Sequence, residues 1–358
     1  MTDPRRHPAG TAGGNGAPAL DPVLAVEDLR VWYGTDAGPV RAVDGASFDL
    51  FPGETLGLVG ESGSGKTTLG RGVLGLLPRA AAVDGVVQYA GRNLVRAKPK
   101  ELQRLRGPDL GMIFQEPLTR LNPLMRVSEH FEEALRTHEP KTPKAEIQQR
   151  AIETLRAMGI PPTRYRAYPH EFSGGMRQRI MIALALVLRP AFIVADEPTT
   201  ALDVLVEAQI ISILADLRRN FDTSLLFITH NLGIVAEACD RVAVMYAGRI
   251  VEQGPVAEVF ANPQHPYTQA LLASTISLNT TGLHYIEGAP PDLITPPSGC
   301  RFHPRCPHAM SVCAEQFPRP VQTGTQVVEC WLHGPEDLIP PGGTQPLERE
   351  ELTVADEA

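Results

Sequence analysis

Residues 172–179 have the sequence FSGGMRQR, and this stretch decides among the folds that the rest of the chain leaves open. It lies between a glycine-rich segment, GESGSGKTT at 60–68, and an acidic strand end, IVADEPT at 193–199. The glycine-rich segment alone predicts a phosphate-binding loop. Two adjacent glycines that open a long helix predict a further anion site, because helix N-termini present unpaired N–H groups. That second site has no evident ligand in its own subunit, which indicates that it caps a nucleotide held by a second subunit.

The composition is that of a globular protein with one large domain and a small appendage. The chain has 358 residues, of which 43% are hydrophobic and 21% charged. A net charge of -8 argues against a general nucleic-acid binder, so we expect no nucleic-acid partner. The longest apolar run, 180–188, is about half the length of a membrane span. The N-terminal residues lack the apolar centre of a secretory signal, so we expect a cytosolic protein that meets the membrane through a partner.

Shifts in composition predict four segments. The N-terminal residues are rich in Gly, Pro and Ala, as in a disordered tail. Prolines and four of the five cysteines are concentrated at 290–330, and the last residues are acidic. The segments are a disordered tail at 1–22, a nucleotide-binding domain at 23–265, a C-terminal module at 266–335 and a loose acidic tail at 336–358.

Short apolar runs alternate with helical patterns along the main domain. This alternation predicts an α/β core with a mostly parallel sheet. Residues 116–172 are polar and helical in pattern, and Ala247-Gly248 predicts the turn of a hairpin. The runs that predict buried strands are 55–59, 111–115, 191–195 and 225–229, and those that predict helices are 66–77 and 204–219.

The glycine-rich loop and the acidic strand end predict complementary parts of one site. Backbone N–H groups of the loop can surround phosphates, while Lys66 reaches the β- and γ-phosphates and the Thr67 hydroxyl binds Mg²⁺. At the strand end, Asp196 can hold Mg²⁺ through water. Glu197 is then the candidate general base that polarises the attacking water. Gln115 ends one predicted strand and His230 comes at the end of another, where the loops of an open parallel sheet meet their ligand.

These motifs, in this order, resemble the ATP-binding subunits of ABC transporters over about residues 23–265. The resemblance implies a P-loop NTPase nucleotide-binding domain with a RecA-like core, an antiparallel β subdomain and a helical subdomain at about 116–172. It implies the cofactors ATP and Mg²⁺, with Glu197, His230 and Gln115 as catalytic residues. Thr67, Gln115 and Asp196 are the implied Mg²⁺ ligands.

The same resemblance implies which residues contact the nucleotide. Tyr33 matches the aromatic residue that stacks on adenine, and Ser173 and Gly175 contact the γ-phosphate bound by the opposite subunit. Met176 departs from the commonest signature, which has Gln, but its backbone N–H remains available. The implied nucleotide-binding residues are Tyr33, Gly60, Ser62, Gly63, Ser64, Gly65, Lys66, Thr67, Thr68, Ser173, Gly174, Gly175 and Asp203.

Three further segments resemble the dipeptide/oligopeptide/nickel import subfamily, and most closely its oligopeptide members. They are FQEPLTRLNP at 114–123, NPQHPYT at 262–268 and PPDL at 290–293. The resemblance implies an importer with two permease subunits, a second related ATPase subunit and an extracytoplasmic peptide-binding protein. Residues 116–172 would grip the permeases, which places the chain at the cytoplasmic face of the cell inner membrane.

Four cysteines in the C-terminal module suit a metal centre. Their spacing is C-x5-C-x6-C-x16-C, which is wider than the pairs of a zinc knuckle and fits the spread corners of a cubane cluster. The stretch also resembles the C-terminal motif of peptide-importer ATPases, some of which hold a 4Fe-4S cluster. We expect such a cluster as a structural staple; zinc, uncoordinated thiols and disulfides stay open. The four residues are Cys300, Cys306, Cys313 and Cys330.

Two other functional classes remain as alternatives at this point. A soluble ABC ATPase that acts on ribosomes or DNA usually has two cassettes or a long coiled-coil insertion, and this sequence shows one cassette and no such insertion. A redox-sensing protein would use the cysteine module to control the ATPase. Transported substrate and the identity of the partner ATPase depend on other chains.

Overall fold

A computed structural model describes residues 21–115, 121–199, 204–221, 223–274, 285–335 and 338–347. Several expectations lie wholly or partly outside these ranges. They are the N-terminal tail at 1–22, the acidic tail at 336–358, the middle of the 114–123 motif, and Asp203.

Within these ranges, the strands form two sheets, one of four strands and one of eight. The smaller sheet has the order β2-β1-β4-β5, and the larger has the order β11-β12-β10-β9-β3-β8-β7-β6. The bounds are β1 (Leu24–Thr35), β2 (Gly38–Leu50), β3 (Thr55–Val59), β4 (Ala81–Tyr89), β5 (Arg92–Asn93), β6 (Leu110–Ile113), β7 (Phe192–Asp196), β8 (Ser224–Ile228), β9 (Arg241–Tyr246), β10 (Arg249–Pro255), β11 (Val321–Thr323) and β12 (Gln326–Val328).

Helices connect the strands of the larger sheet and build a separate helical region. Among the described helices, none is long and apolar enough to cross a membrane. The bounds are α1 (Lys66–Val73), α2 (Pro99–Leu105), α3 (Val127–His138), α4 (Lys144–Ala157), α5 (Gly174–Leu186), α6 (Val204–Phe221), α7 (Leu232–Ala238), α8 (Val256–Ala261), α9 (Pro266–Ala273) and α10 (Ser311–Glu315).

Five consecutive strands of the larger sheet, from β9 to the edge strand β6, are parallel. β3 pairs with β8 and β9, while β7 pairs with β6 and β8. Every residue of β3, β7 and β8 is buried, as expected for strands covered on both faces. Their carboxyl ends lie at one edge of the sheet, which confirms the predicted α/β class and gathers the loops that follow these strands.

The smaller sheet is antiparallel and packs on α1. β1 pairs with both β2 and β4, and its Leu24, Leu29 and Val31 are fully buried. These side chains share one hydrophobic core with Leu69 and Val73 of α1. The antiparallel sheet therefore lies against the helix that begins at the phosphate loop.

The helical region has its own apolar contacts. Phe131 and Leu135 of α3 are completely buried and belong to the same core as Ala151 and Leu155 of α4. Arg150 of α4 also donates to the carbonyl oxygen of Val187 at 3.0 Å, which ties this region to the end of α5. The helical region formed by α3 and α4 is thus attached to α5, the helix that begins within the 172–179 stretch.

The C-terminal segment continues the larger sheet. β12 pairs with β10 and β11 pairs with β12, both antiparallel. The predicted hairpin is present as β9 and β10, where Ala247 and Gly248 have φ values of 45° and 84°, as a tight type I′ turn requires. Beside it, the ring of Phe302 lies 5.2 Å from Tyr246 and 5.4 Å from Tyr267, so the segments share a core.

Phe131→Ala should destabilise the helical region. Removing a fully buried aromatic side chain costs about 3–5 kcal/mol, through lost burial and the cavity left behind. We expect a lower midpoint in urea unfolding followed by circular dichroism. Leu124→Ala is the control, because that side chain is 85% exposed and its removal should leave the midpoint unchanged. Equal midpoints for the two variants would contradict the placement of Phe131.

Candidate functional site

The phosphate loop connects β3 to α1 through glycines that no other residue could replace. Gly60 and Gly65 have φ values of 151° and 103°, a backbone conformation that residues with a side chain rarely adopt. A Cβ at Gly60 would lie 2.0 Å from the carbonyl oxygen of Met245, and one at Gly65 would lie 2.0 Å from that of Ala42. Backbone therefore passes backbone at both ends of the loop, which fixes the loop's curvature.

Lys66 is the first residue of α1, and its side chain points back into the loop. Its Nζ donates to the carbonyl oxygens of Gly60 and Glu61, each at 2.8 Å. Burial lowers the pKa of Lys66, while the nearby carboxylates of Glu197, Asp196 and Glu61 oppose that change. The Lys66 ammonium thus lies inside the loop, where phosphate groups would bind, and the three acidic residues are near it.

Thr67 and Asp196 meet across the sheet edge. The Thr67 hydroxyl donates to Asp196 Oδ1 at 2.8 Å. Asp196 is 1% exposed, and within the described residues its Oδ2 has no hydrogen-bond partner. Burial raises the pKa of this carboxyl, and the hydrogen bond from Thr67 opposes the rise. A hydroxyl beside an unpartnered buried carboxylate oxygen fits the oxygen ligands that Mg²⁺ requires.

Glu197 is held in an unusual backbone conformation between two polar side chains. Its φ is 45°, and its N–H donates to the carbonyl oxygen of Ile228 at 2.9 Å. Gln115 Nε2 donates to Glu197 Oε2 at 3.0 Å, and His230 Nδ1 lies 3.5 Å from Oε1. A left-handed conformation at a non-glycine residue is costly and is typical of functional positions. Three residues predicted on separate strand ends are therefore brought together.

The 172–179 stretch forms the start of α5. Ser173 caps the helix, and its Oγ accepts from the Met176 N–H at 3.4 Å. Ser173 and Gly174 are exposed, with open space around Gly174, whereas a Cβ at Gly175 would lie 3.0 Å from Val206 Cγ1. The helix N-terminus is therefore accessible to an anion from outside.

Gln178 connects this helix to the acidic strand end. Its side chain is 2% exposed, and its Nε2 donates to the carbonyl oxygen of Pro198 at 2.8 Å. Because Pro198 follows Glu197 directly, α5 and the candidate base are linked through one buried amide. Gln178 lies in the stretch that the sequence singled out, but the sequence assigned it no role, since its partner's main-chain oxygen leaves no signal in sequence.

Tyr33 and Trp32 differ in their surroundings. Trp32 Nε1 donates to Asp44 Oδ1 at 3.1 Å, and the guanidinium of Arg41 lies 5.2 Å from its ring centroid. Tyr33 is half-buried on β1, at the side of the smaller sheet that packs towards the α1 core. Its role as the adenine-stacking residue stays a prediction.

The four predicted cluster ligands lie in one region but do not form a ligand set. The Cys300 N–H donates to the Cys313 carbonyl oxygen at 2.8 Å, and none of these four described cysteines is in a disulfide. Burial raises the pKa of Cys306 to about 11 and that of Cys330 to about 12, with other cysteines adding to the rise. Within the described residues, no three or more His, Cys, Asp or Glu side chains gather as a group that could hold a metal. The side-chain positions therefore do not support the expected 4Fe-4S centre.

The chain is similar to known proteins over most of its length. Residues 43–200 match the family described as ABC transporter, and residues 251–313 match the oligopeptide/dipeptide transporter C-terminal region. The dipeptide transport ATP-binding protein DppD of Bacillus subtilis is 46% identical over 320 residues, 87% of this chain and 95% of that protein. The oligopeptide transport ATP-binding protein OppD of Bacillus subtilis is 47% identical over 322 residues, 88% of this chain and 90% of that protein.

A similar solved structure is the dimeric post-hydrolysis state of an ATP-binding cassette bound to ADP and Pi. It has a TM-score of 0.60 and 25% identity, and the match covers 65% of this chain and 98% of that one. The likeness is thus to one whole cassette, with the remainder of this chain outside it.

Gly65→Ala should abolish tight nucleotide binding. The new Cβ would collide with the Ala42 carbonyl and displace the loop, so we expect affinity for a fluorescent ATP analogue to fall at least about tenfold, or about 1.4 kcal/mol. Gly53→Ala is the matched control, because Gly53 also has a positive φ, 68°, but a Cβ added there would have no other atom within 4 Å. Equal affinities for the two variants would contradict the close approach at Gly65.

Proposed function

Because the chain belongs to the ABC transporter family as an ATP-hydrolysing subunit, we propose that it powers the import of oligopeptides or dipeptides. The observation that carries the proposal is the pairing of two features in one chain. Glu197 lies between Gln115 and His230 beside the phosphate loop, and the segment 251–313 matches the peptide-transporter C-terminal region. The relatives named for dipeptide and oligopeptide transport resemble it over most of their lengths.

The proposed hydrolysis follows from the side chains around Glu197. The carboxylate accepts a proton as water attacks the γ-phosphate, and ADP leaves with the bond electrons. Gln115 donates to the Glu197 carboxylate and would orient the water, while His230, which lies beside the same carboxylate, would donate to the γ-phosphate. Lys66 supplies positive charge to the phosphates. Thr67 and Asp196 would hold Mg²⁺, which neutralises charge that develops on the phosphate oxygens.

We infer that two cassettes combine head to tail to complete each site. The exposed helix N-terminus at Ser173 and Gly174 supports this arrangement, because its N–H groups are available to a phosphate outside the subunit. The dimeric state of the similar solved cassette supports it as well. Each ATP then contacts Lys66 of one subunit and Ser173 of the other. The second cassette is a related ATPase subunit.

The proposed complex also contains two permeases and an extracytoplasmic peptide-binding protein. Residues 116–172 include α3 and α4, which extend from α5, so a movement of the nucleotide site reaches this region. Leu124 is 85% exposed at its start and offers an apolar contact to a permease helix. The chain would then act at the cytoplasmic face of the inner membrane, with no nucleic-acid partner.

The 4Fe-4S cluster stays a prediction that rests on the number and chemistry of the four cysteines. No catalytic step depends on it. We expect anaerobically purified protein to contain about four irons and four sulfides per chain, with visible absorption that air bleaches. Zinc without iron after anaerobic purification would contradict the prediction.

Glu197→Gln should bind ATP without turning it over. Loss of the base should lower kcat by about 10²–10⁴-fold and leave the ATP dissociation constant nearly unchanged. Phosphate release by the purified complex and binding of an ATP analogue measure the two quantities. Glu237→Gln is the control, since Glu237 is an exposed carboxylate on α7 outside the site. Turnover near the wild-type rate in Glu197→Gln would remove Glu197 as the base.

Peptide import is tested with the chain assembled with its permeases in proteoliposomes. We expect ATP-dependent accumulation of a labelled tri- to hexapeptide in the presence of the binding protein, and none with Glu197→Gln. Labelled dipeptide and ⁶³Ni²⁺ are the competing substrates. ATP-dependent nickel accumulation without peptide accumulation would overturn the peptide assignment while leaving the ATPase assignment intact.

A further inference from the structure

Arg305, in the cysteine-rich C-terminal segment, reaches the phosphate loop. Its Nη1 lies 2.8 Å from Glu61 Oε2 and its Nη2 lies 3.1 Å from Glu61 Oε1, so the pair is bidentate. The side chain of Arg305 is 6% exposed and that of Glu61 is 23% exposed. A two-point, mostly buried contact of this kind fixes geometry as well as charge.

The guanidinium is held from several directions. Its Nε donates to the Glu287 carbonyl oxygen at 2.9 Å, and Nη2 donates to that of Ile286 at 3.2 Å. Nη1 also lies 3.2 Å from the Tyr246 hydroxyl, on the end of β9. The C-terminal segment therefore presents Arg305 in one orientation, with Glu61 as its carboxylate partner.

Glu61 occupies a sensitive position in the loop. Its N–H donates to the Tyr267 hydroxyl at 2.9 Å, and its carbonyl oxygen accepts from Lys66 Nζ at 2.8 Å. The residue thus belongs to the backbone that curls around phosphates. A carboxylate released from Arg305 would add negative charge beside a polyanion and repel it.

We propose that Arg305 is a positioning residue for ATP binding, which turns the Glu61 carboxylate away from the phosphates and neutralises it. This proposal rests on ATP binding by the phosphate loop. It makes the C-terminal segment part of the nucleotide site, through Glu61, although Arg305 itself does not touch the reacting atoms. Removal of Arg305 should therefore weaken ATP binding only while Glu61 carries a negative charge.

The test uses the full chain in its assembled complex and measures ATP hydrolysis against ATP concentration. For Arg305→Met we expect KM for ATP to rise about tenfold with kcat within about twofold of wild type. The double variant Glu61→Gln/Arg305→Met should return KM to within about twofold of wild type, because the unbalanced charge is gone. A merely structural role would not be rescued by Glu61→Gln, since the other contacts of Arg305 stay lost.

Glu329→Gln is the matched control. Glu329 pairs with Arg249 through distances of 3.1 and 3.3 Å and joins the same C-terminal segment to the core without touching the loop. We expect an unchanged KM for this variant, and thermal unfolding of each variant checks the fold. If Arg305→Met does not assemble, Arg305→Lys replaces it, with a rise in KM of about threefold that Glu61→Gln removes.

Two outcomes would overturn the proposal. One is an unchanged KM in Arg305→Met, and the other is a double variant that is as impaired as the single one. Lys66→Ala separates these results from a failure of the proposed function. If the wild type binds an ATP analogue no better than Lys66→Ala, the nucleotide site itself is wrong; if it binds better, only the role of Arg305 is in question.

Discussion

The close passage of backbone past backbone at Gly60 and Gly65 is the constraint on which the rest of the structure depends. At these points the loop lies against Met245, near the end of β9, and against Ala42, within β2, so its shape is set by both sheets. The parallel strands then deliver Asp196 and Glu197 to the same edge, and the antiparallel sheet fixes where α1 begins. A shift of either sheet would move the loop N–H groups that must face phosphate. Tight apolar packing of both sheets opposes such a shift, so many buried apolar contacts surround the few polar groups of the site.

The candidate site is assembled almost wholly from residues that lie just beyond strand ends. Such positions have a backbone fixed on one side by the sheet and free on the other, which suits side chains that must point at a ligand. This arrangement has an energetic cost at Glu197, which adopts a left-handed backbone conformation that is unfavourable for a non-glycine residue. Its two neighbours and the buried amide of Gln178 next to it oppose relaxation, so the carboxylate is oriented before any nucleotide arrives.

The sequence predicted the parts of the site that are local in the chain. Glycines before Lys66, the acidic pair after a buried strand and the polar residues after two other strands each have a short-range signature, and the structure joins them through the parallel order of the strands. The pair of Arg305 with Glu61 has no such signature, because 244 residues separate its members. The register of β12 against β10 was missed for a related reason, since a three-residue strand has too little periodicity to be recognised.

The pairing of β12 with β10 has a consequence for how the molecule is made. In a chain synthesised from its N-terminus, β10 exists before β12, and until then its outer edge offers unpaired N–H and C=O groups to any other strand. β12 pairs with Glu252 and Gln253 on that edge, and the outermost strand on this side becomes β11, which has three residues and is too short to recruit a neighbour. The C-terminal segment is thus an edge cap, and a shortened chain would lose protection against aggregation before it lost any part of its catalytic machinery.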